Sequence, residues 1–202
     1  MRPGILFVLS GASGVGKGTI RSRLREQVPD VYHSVSVTSR APRPGEREGA
    51  DYFFRSREQV EAMARAGELI EWVEYVGNYY GIPRRPVDEK LARGRDVILE
   101  PETRGAKAVA RLYPQAVLIF VIPPSLEALE KRLRTRRTET EETIRARLAR
   151  AREEMQELHL YQYCILNDDA QRAAQDLVAI VRAERCQMSR VGPEMKRRIL
   201  GE

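Results

Sequence analysis

"LSGASGVGKGTI", Leu9 to Ile20, is the stretch that decides how the rest of the chain is read. It follows an apolar run, "ILFVLS" (5–10), and leads into Ile20, Leu24 and Val28, which open an amphipathic helical pattern. A strand, a glycine-rich turn and a helix start in that order make a cradle for phosphate. The glycines let successive backbone N–H groups converge on phosphate oxygens, the helix N-terminus adds partial positive charge, and a lysine can reach the β/γ-phosphates. A tight turn before a helix would explain one glycine, but not Gly11, Gly14 and Gly16 with Lys17 at this spacing. The candidate phosphate contacts are therefore Gly11, Ala12, Ser13, Gly14, Val15, Gly16, Lys17, Gly18 and Thr19. The strict G-x-x-x-x-G-K-[ST] pattern fails at Gly18, with Thr19 one place later.

Composition narrows the class. The 202 residues are 42% hydrophobic, enough for one substantial core, and carry 35 basic against 29 acidic residues for a net charge of +6. Such an excess points to a solvated basic surface or to an anionic partner. Cys164 and Cys186 are the only cysteines, and His33 and His159 lie far apart, so no metal-ligand spacing and no disulfide framework exists. The N-terminal apolar run spans about six residues, short of the roughly 7–15 of a signal peptide's core. No run approaches the roughly 18 residues of a transmembrane helix. The chain reads as a cytoplasmic protein with no membrane partner.

Three further apolar runs read as buried strands: "DVILE" (96–100), "AVLIFVI" (116–122) and "YCILN" (163–167). Each precedes a helical pattern, which argues α/β class with a parallel sheet flanked by helices. Ser56 to Gln59 and Thr138 to Glu141 both have capping-box spacing. After the second, Ile144, Leu148, Ala151, Met155 and Leu158 repeat at helical spacing opposite an arginine-rich face. Residues 33–85 contain no long buried run and read as an inserted subdomain of short antiparallel strands and a helix. The end, "MKRRILGE", reads as a helix end or a loose basic extension.

Beyond the loop, the chain resembles the guanylate kinase family, bacterial type, over nearly its whole length. The resemblance rests on "SVSVTSRAPRPGEREGADYFF" (34–54), "ELIEWVEYVGNYYG" (68–81), "FVIPPS" (120–125), "RTETEETIRARL" (137–148) and "LNDD" (166–169). It implies the P-loop nucleoside monophosphate kinase fold, with a parallel five-stranded sheet core, an inserted small α+β GMP-binding subdomain and a helical lid. On this reading the kinase domain is 3–184, with core segments 3–32, 86–127 and 149–184, GMP-binding subdomain 33–85, lid 128–148, and a basic tail 185–202. "GKGT" is the loop variant of these kinases, in which Mg²⁺ leans on water and the phosphates. GTPases fit poorly, since neither Asn78 nor Asn167, the only asparagines, begins an N-K-x-D motif.

The resemblance implies transfer of the ATP γ-phosphoryl group to GMP, with Mg²⁺ as cofactor. It assigns the acceptor phosphate to Arg40, Arg43, Tyr52 and Tyr80, with Glu46 beside them, and the guanine to Ser36, Glu71 and Glu102. Guanidinium forks and phenol hydroxyls suit a phosphate dianion. A carboxylate such as Glu71 can accept guanine's N1–H and 2-amino group, whereas adenine would leave it unpaired. Around the ATP phosphates the resemblance sets Lys17, Arg132, Arg136 and Arg147, with Asn167 at the adenine. Thr19 and Glu100 are the oxygens nearest Mg²⁺, directly or through water. The basic excess then meets nucleotide phosphates rather than nucleic acid, and the histidines are bystanders. The resemblance leaves room for dGMP as acceptor and for a homodimer.

The chain departs from the family pattern at three places. Ile82 stands where a hydroxyl residue is usual, so Ile82→Thr is expected to improve GMP use. "EPETRG" (100–105) replaces a "DIDxQG"-like run, and "RTRRT" (134–138) lacks glycines in the lid. Two rival readings remain at this point: a non-catalytic phosphopeptide-binding module, and a related kinase acting on a phosphorylated sugar. Lys17, Arg136 and Arg147 argue against the first, and Ser36 with Glu71 against the second.

Overall fold

The computed structural model describes residues 2–75, 77–135 and 140–201. Five strands form the main sheet: β1 (Leu6–Gly11), β2 (Tyr32–His33), β7 (Val97–Leu99), β8 (Val117–Ile122) and β9 (Tyr163–Leu166), in the order β2-β7-β1-β8-β9. Its β2–β7, β7–β1 and β8–β9 pairs are parallel. Phe7, Val8, Leu9, Ile119, Phe120 and Val121 are fully buried, as expected of parallel strands covered on both faces. The sheet is the one the apolar runs predict. Its fifth strand, β2, is too short to have an apolar run of its own.

A second sheet takes the order β4-β3-β6-β5, from β3 (Val37–Thr38), β4 (Phe53–Phe54), β5 (Leu69–Tyr75) and β6 (Asn78–Pro83). The expectation of short antiparallel strands holds for β5–β6 and β3–β6 and fails at one pair. β3 pairs antiparallel with β6 but parallel with β4. The long excursion 39–52 lets the chain return in the same direction, which no tight hairpin could do. Helix α2 (Arg57–Arg65) covers this sheet, and Val60 joins Val37, Leu69 and Tyr79 in a small core. Its capping box forms as the sequence predicts: Ser56 Oγ accepts from the Gln59 N–H, and the Gln59 side chain accepts from the Ser56 N–H. Helices α3 (Arg84–Ala92) and α4 (Thr103–Leu112) follow.

The chain divides into two compact units, one of residues 1–2, 9–31 and 117–202, the other of 3–8 and 32–116. In the first, α1 (Lys17–Gln27) packs on α7 (Ala170–Arg185). Helix α5 (Leu126–Thr135) meets α6 (Glu141–Met155), whose Ile144 and Ala151 are buried as the periodicity predicts. The N-cap of α6 is Thr140, which accepts from the Thr143 N–H; Thr138 lies outside the described residues. The C-terminal segment is a helix, α8 (Met188–Leu200), rather than a loose extension. It is tied down by buried Glu184, whose carboxylate accepts from Arg190, Gln187 and Tyr163.

Candidate active site

The donor side is assembled from backbone. β1 ends at Gly11, where an added Cβ would stand 2.4 Å from the Val121 carbonyl oxygen, so only glycine lets the loop leave the sheet there. Gly16 caps α1 in the left-handed region (φ 101°), and a Cβ on it would meet Asn167 Nδ2 at 2.7 Å. Among the described residues no side chain caps α1, and the Thr19 N–H turns back to the Gly16 carbonyl at 3.1 Å; the start of the helix carries the partial positive charge that favours an anion. Lys17 Nζ donates to the Gly11 carbonyl at 2.6 Å and lies 3.4 Å from that of Ala12. The lysine thus spans the loop it serves.

A groove of about 610 Å³ opens beside this loop. Gly14, Val15, Gly16 and Thr19 line it from one side, Arg132 from α5, and Asn167, Asp168 and Asp169 from the turn after β9. Arg132 bridges the parts: it donates to the Val15 carbonyl at 3.3 Å and to the Asn167 carbonyl at 2.8 Å. Asn167 is buried, and its Nδ2 donates to the Val15 carbonyl at 2.6 Å. Its amide nitrogen is therefore committed to holding the loop, which leaves Oδ1 for other contacts. Lys131 and Thr135 also line the groove. Their signal in the sequence is a spacing: Ala128, Lys131 or Arg132, and Thr135 recur on one helical face. Arg147 is half-buried on α6 and is not part of this lining. Arg136 lies outside the described residues.

The acceptor side is assembled from side chains, all within the second unit. A cavity of about 280 Å³ is lined by Ser36, Arg40, Arg43, Glu46, Tyr52, Glu71, Tyr80, Glu100 and Glu102, with Val73, Gly81 and Pro101 as its apolar floor. Every acceptor residue expected from the sequence meets here. Arg40 Nη2 donates to both Glu46 oxygens, at 2.9 and 3.0 Å, and Nη1 to the Ala41 carbonyl. Its Nε is buried without a partner among the described residues. The Glu46 carboxylate raises the Arg40 pKa, and Arg40 together with the Arg43 N–H lowers that of Glu46. Tyr52 stacks edge-on to Tyr80 at 6.0 Å, and the Arg40 guanidinium lies 5.5 Å from the Tyr52 ring centre. One fixed cation and two phenols are thereby grouped.

Glu71 stands apart from that group. It follows a β-bulge, since Leu69 pairs with Pro83 while Glu71 pairs with Ile82, leaving Ile70 as the extra residue. Bulges re-aim the side chains beside them. Its Oε2 is buried with no hydrogen-bond partner among the described residues. Burial first, and the neighbouring Glu102 charge second, push its carboxyl up to about 7. A buried acceptor with unspent capacity implies a donor that arrives with a ligand. Ile82, opposite Glu71 and 2% exposed, supplies apolar surroundings rather than a hydroxyl.

No group of three or more His, Cys, Asp or Glu among the described residues could hold a metal alone. Mg²⁺ characteristically takes one or two protein oxygens together with phosphates and water. The exposed Thr19 in the first turn of α1 and the half-buried Glu100 just after β7 each fit that donor chemistry.

Comparison with known proteins gives the family. The Guanylate kinase family profile matches residues 4–184. The chain belongs to the guanylate kinase family. It is 50% identical over 188 residues to the guanylate kinase of Halalkalibacterium halodurans, covering 93% of this chain and 92% of that one. It is 47% identical over 191 residues to that of Carboxydothermus hydrogenoformans, covering 95% and 94%. A crystal structure of guanylate kinase from Anaplasma phagocytophilum superposes with a TM-score of 0.77 at 34% identity, covering 94% of this chain and 90% of that one. The guanylate kinase match contains both cavities and ends before α8.

Proposed function

We infer that this guanylate kinase transfers the γ-phosphoryl group of ATP to GMP, releasing ADP and GDP. The observation that carries the reading is the acceptor cavity. It groups Arg40, Tyr52 and Tyr80, suited to a phosphate dianion, and holds in Glu71 a buried acceptor suited to paired N–H donors.

The chemistry asks little of acid–base groups. The attacking oxygen belongs to the GMP phosphate and is already ionised at neutral pH, so no general base is required. On the donor side, the α1 N–H groups and Lys17 hold the β/γ-phosphates, and Arg132 meets the charge that spreads over the transferring oxygens. We assign Arg136 and Arg147 the same task, the former on the strength of the sequence resemblance alone. Asn167 positions the loop through Val15, and we assign its buried Oδ1, without a partner among the described residues, to the adenine. Mg²⁺, when bound with the nucleotide, would neutralise charge on the β- and γ-phosphates, and Thr19 and Glu100 each carry an oxygen of the type it takes.

On the acceptor side, Arg40 and Arg43 grip the GMP phosphate with Tyr52 and Tyr80. Glu46 holds Arg40 in its working orientation through two hydrogen bonds. Ser36 donates to guanine O6, while Glu71 accepts from N1–H and the 2-amino group, aided by Glu102. We place the reaction in the cytoplasm, where both nucleotides are pooled. Among the described residues no helix is long and apolar enough to cross a membrane. The test is product analysis by ³¹P NMR with ATP, Mg²⁺ and GMP. Equimolar ADP and GDP are expected; folded protein that binds ATP yet yields no GDP would contradict the reading.

A further inference from the structure

Glu71 owes its position to a neighbour that has no side chain. Gly105 is the third residue of α4, buried, and its φ is not in the left-handed region. Conformational freedom is therefore not why glycine stands there, and alanine would be the better helix former. Packing is the reason. A Cβ on Gly105 would lie 2.4 Å from Glu71 Oε2, 2.6 Å from its Cδ and 3.0 Å from Pro101 Cβ. Atoms do not approach that closely, so a methyl group here must displace the carboxylate or the helix. The rigid turn of α4 and Pro101 cannot yield as readily as the end of one side chain.

Three features of this chain converge on that carboxylate. The bulge at Leu69–Glu71 re-aims the side chain. Ile82 opposite it supplies no hydrogen bond that could pull it elsewhere. The first turn of α4 lies closer to Oε2 than a side chain on residue 105 would allow, because that residue is glycine. We propose that Gly105 is a positioning residue that determines base specificity: its missing side chain seats the Glu71 carboxylate at the angle where it meets guanine's N1–H and 2-amino group. The proposal rests on the reading of Glu71 as the guanine acceptor.

Equilibrium titrations of GMP, IMP and ATP against the full-length protein and the variants Gly105→Ala, Glu71→Ala and the double variant test it. IMP keeps the N1–H but lacks the 2-amino group, so the GMP/IMP ratio reports base reading while the shared phosphate cancels. Gly105→Ala should raise the GMP Kd about tenfold or more, the scale of losing a hydrogen bond to a charged group. The GMP/IMP ratio should fall toward that of Glu71→Ala, with the ATP Kd within about twofold and Tm not lowered. Adding Gly105→Ala to Glu71→Ala should cost nothing further, because the contact it disrupts is gone. Glu71→Asp, which draws the carboxylate back by one methylene, should weaken GMP binding in the parent yet improve it in Gly105→Ala.

Unchanged GMP binding in Gly105→Ala beside a clear loss in Glu71→Ala would overturn the proposal alone. So would an equal extra loss in the double variant, or a matching loss of ATP binding, since each marks a general structural role. A GMP/IMP ratio untouched by Glu71→Ala would overturn the guanine reading and this proposal together.

Discussion

The two phosphate sites proposed for this enzyme solve the same problem with different materials. The donor loop is made of backbone: glycines that fit where a Cβ cannot, a helix start without a side-chain cap, and a lysine folded along its own loop. The acceptor site is made of side chains drawn from residues 36 to 102, held by ion pairing, ring stacking and a bulge. Backbone donors are blind to the base attached to the phosphate. Side chains around a cavity can be exact about it. The asymmetry therefore predicts tolerance toward the donor base and strictness toward the acceptor base.

Substitutions sharpen the contrast by striking one site at a time. Lys17→Ala removes the charge proposed to meet the β/γ-phosphates and should lower kcat by about 10²–10³-fold, the scale of losing one preorganised donor to transition-state charge. Steady-state rates at saturating GMP check this. Arg40→Ala should raise the KM for GMP by about 10–100-fold while leaving the KM for ATP within about twofold, as expected for loss of a charge-assisted hydrogen bond. A parallel rise in both constants would mean that the two sites are not separable.

Acidity gives a smaller and graded effect. The Glu71 carboxyl is raised from 4.5 to about 7, so in the empty protein it is protonated below neutrality. Its contribution to the stability of the empty fold is then full below about 4.5 and lost as pH rises through 7. GMP binding runs the opposite way, because guanine's donors require the ionised form. From pH 8 to pH 6 the GMP Kd should rise about tenfold beyond what the titration of the GMP phosphate causes. Glu71→Gln should lose that excess. If the excess persists in the glutamine variant, another group is responsible. Smallest of all is Gly18→Ala. A Cβ there meets nothing within 4 Å, and the φ is ordinary, so kcat/KM should stay within about twofold.

The same division explains what could be read from the sequence. The donor loop is contiguous and its glycines carry geometric meaning, so twelve letters (9–20) declared it. The buried strands β1, β7, β8 and β9 were equally plain as short apolar runs, and the Ser56 cap as a local pattern. β2 was not, since two half-buried residues at a sheet edge have no periodicity. The parallel pairing of β3 with β4 depends on the course of the intervening excursion, which local residues do not encode. The acceptor residues had to be gathered through a family resemblance. Their meeting in one cavity depends on tertiary approach. Gly105 shows the limit most clearly. The glycine that closes "EPETRG" is legible as a letter, but its importance lies in the Glu71 carboxylate 34 positions away.

The most direct test of the account is one matrix of initial rates: ATP, GTP, CTP and UTP as donors against GMP, AMP, CMP and UMP as acceptors, with Mg²⁺ throughout. Turnover is expected with several donors but with GMP as the only effective acceptor. Strict dependence on ATP combined with comparable rates for GMP and AMP would contradict it, because the side-chain cavity would then not be what reads the base.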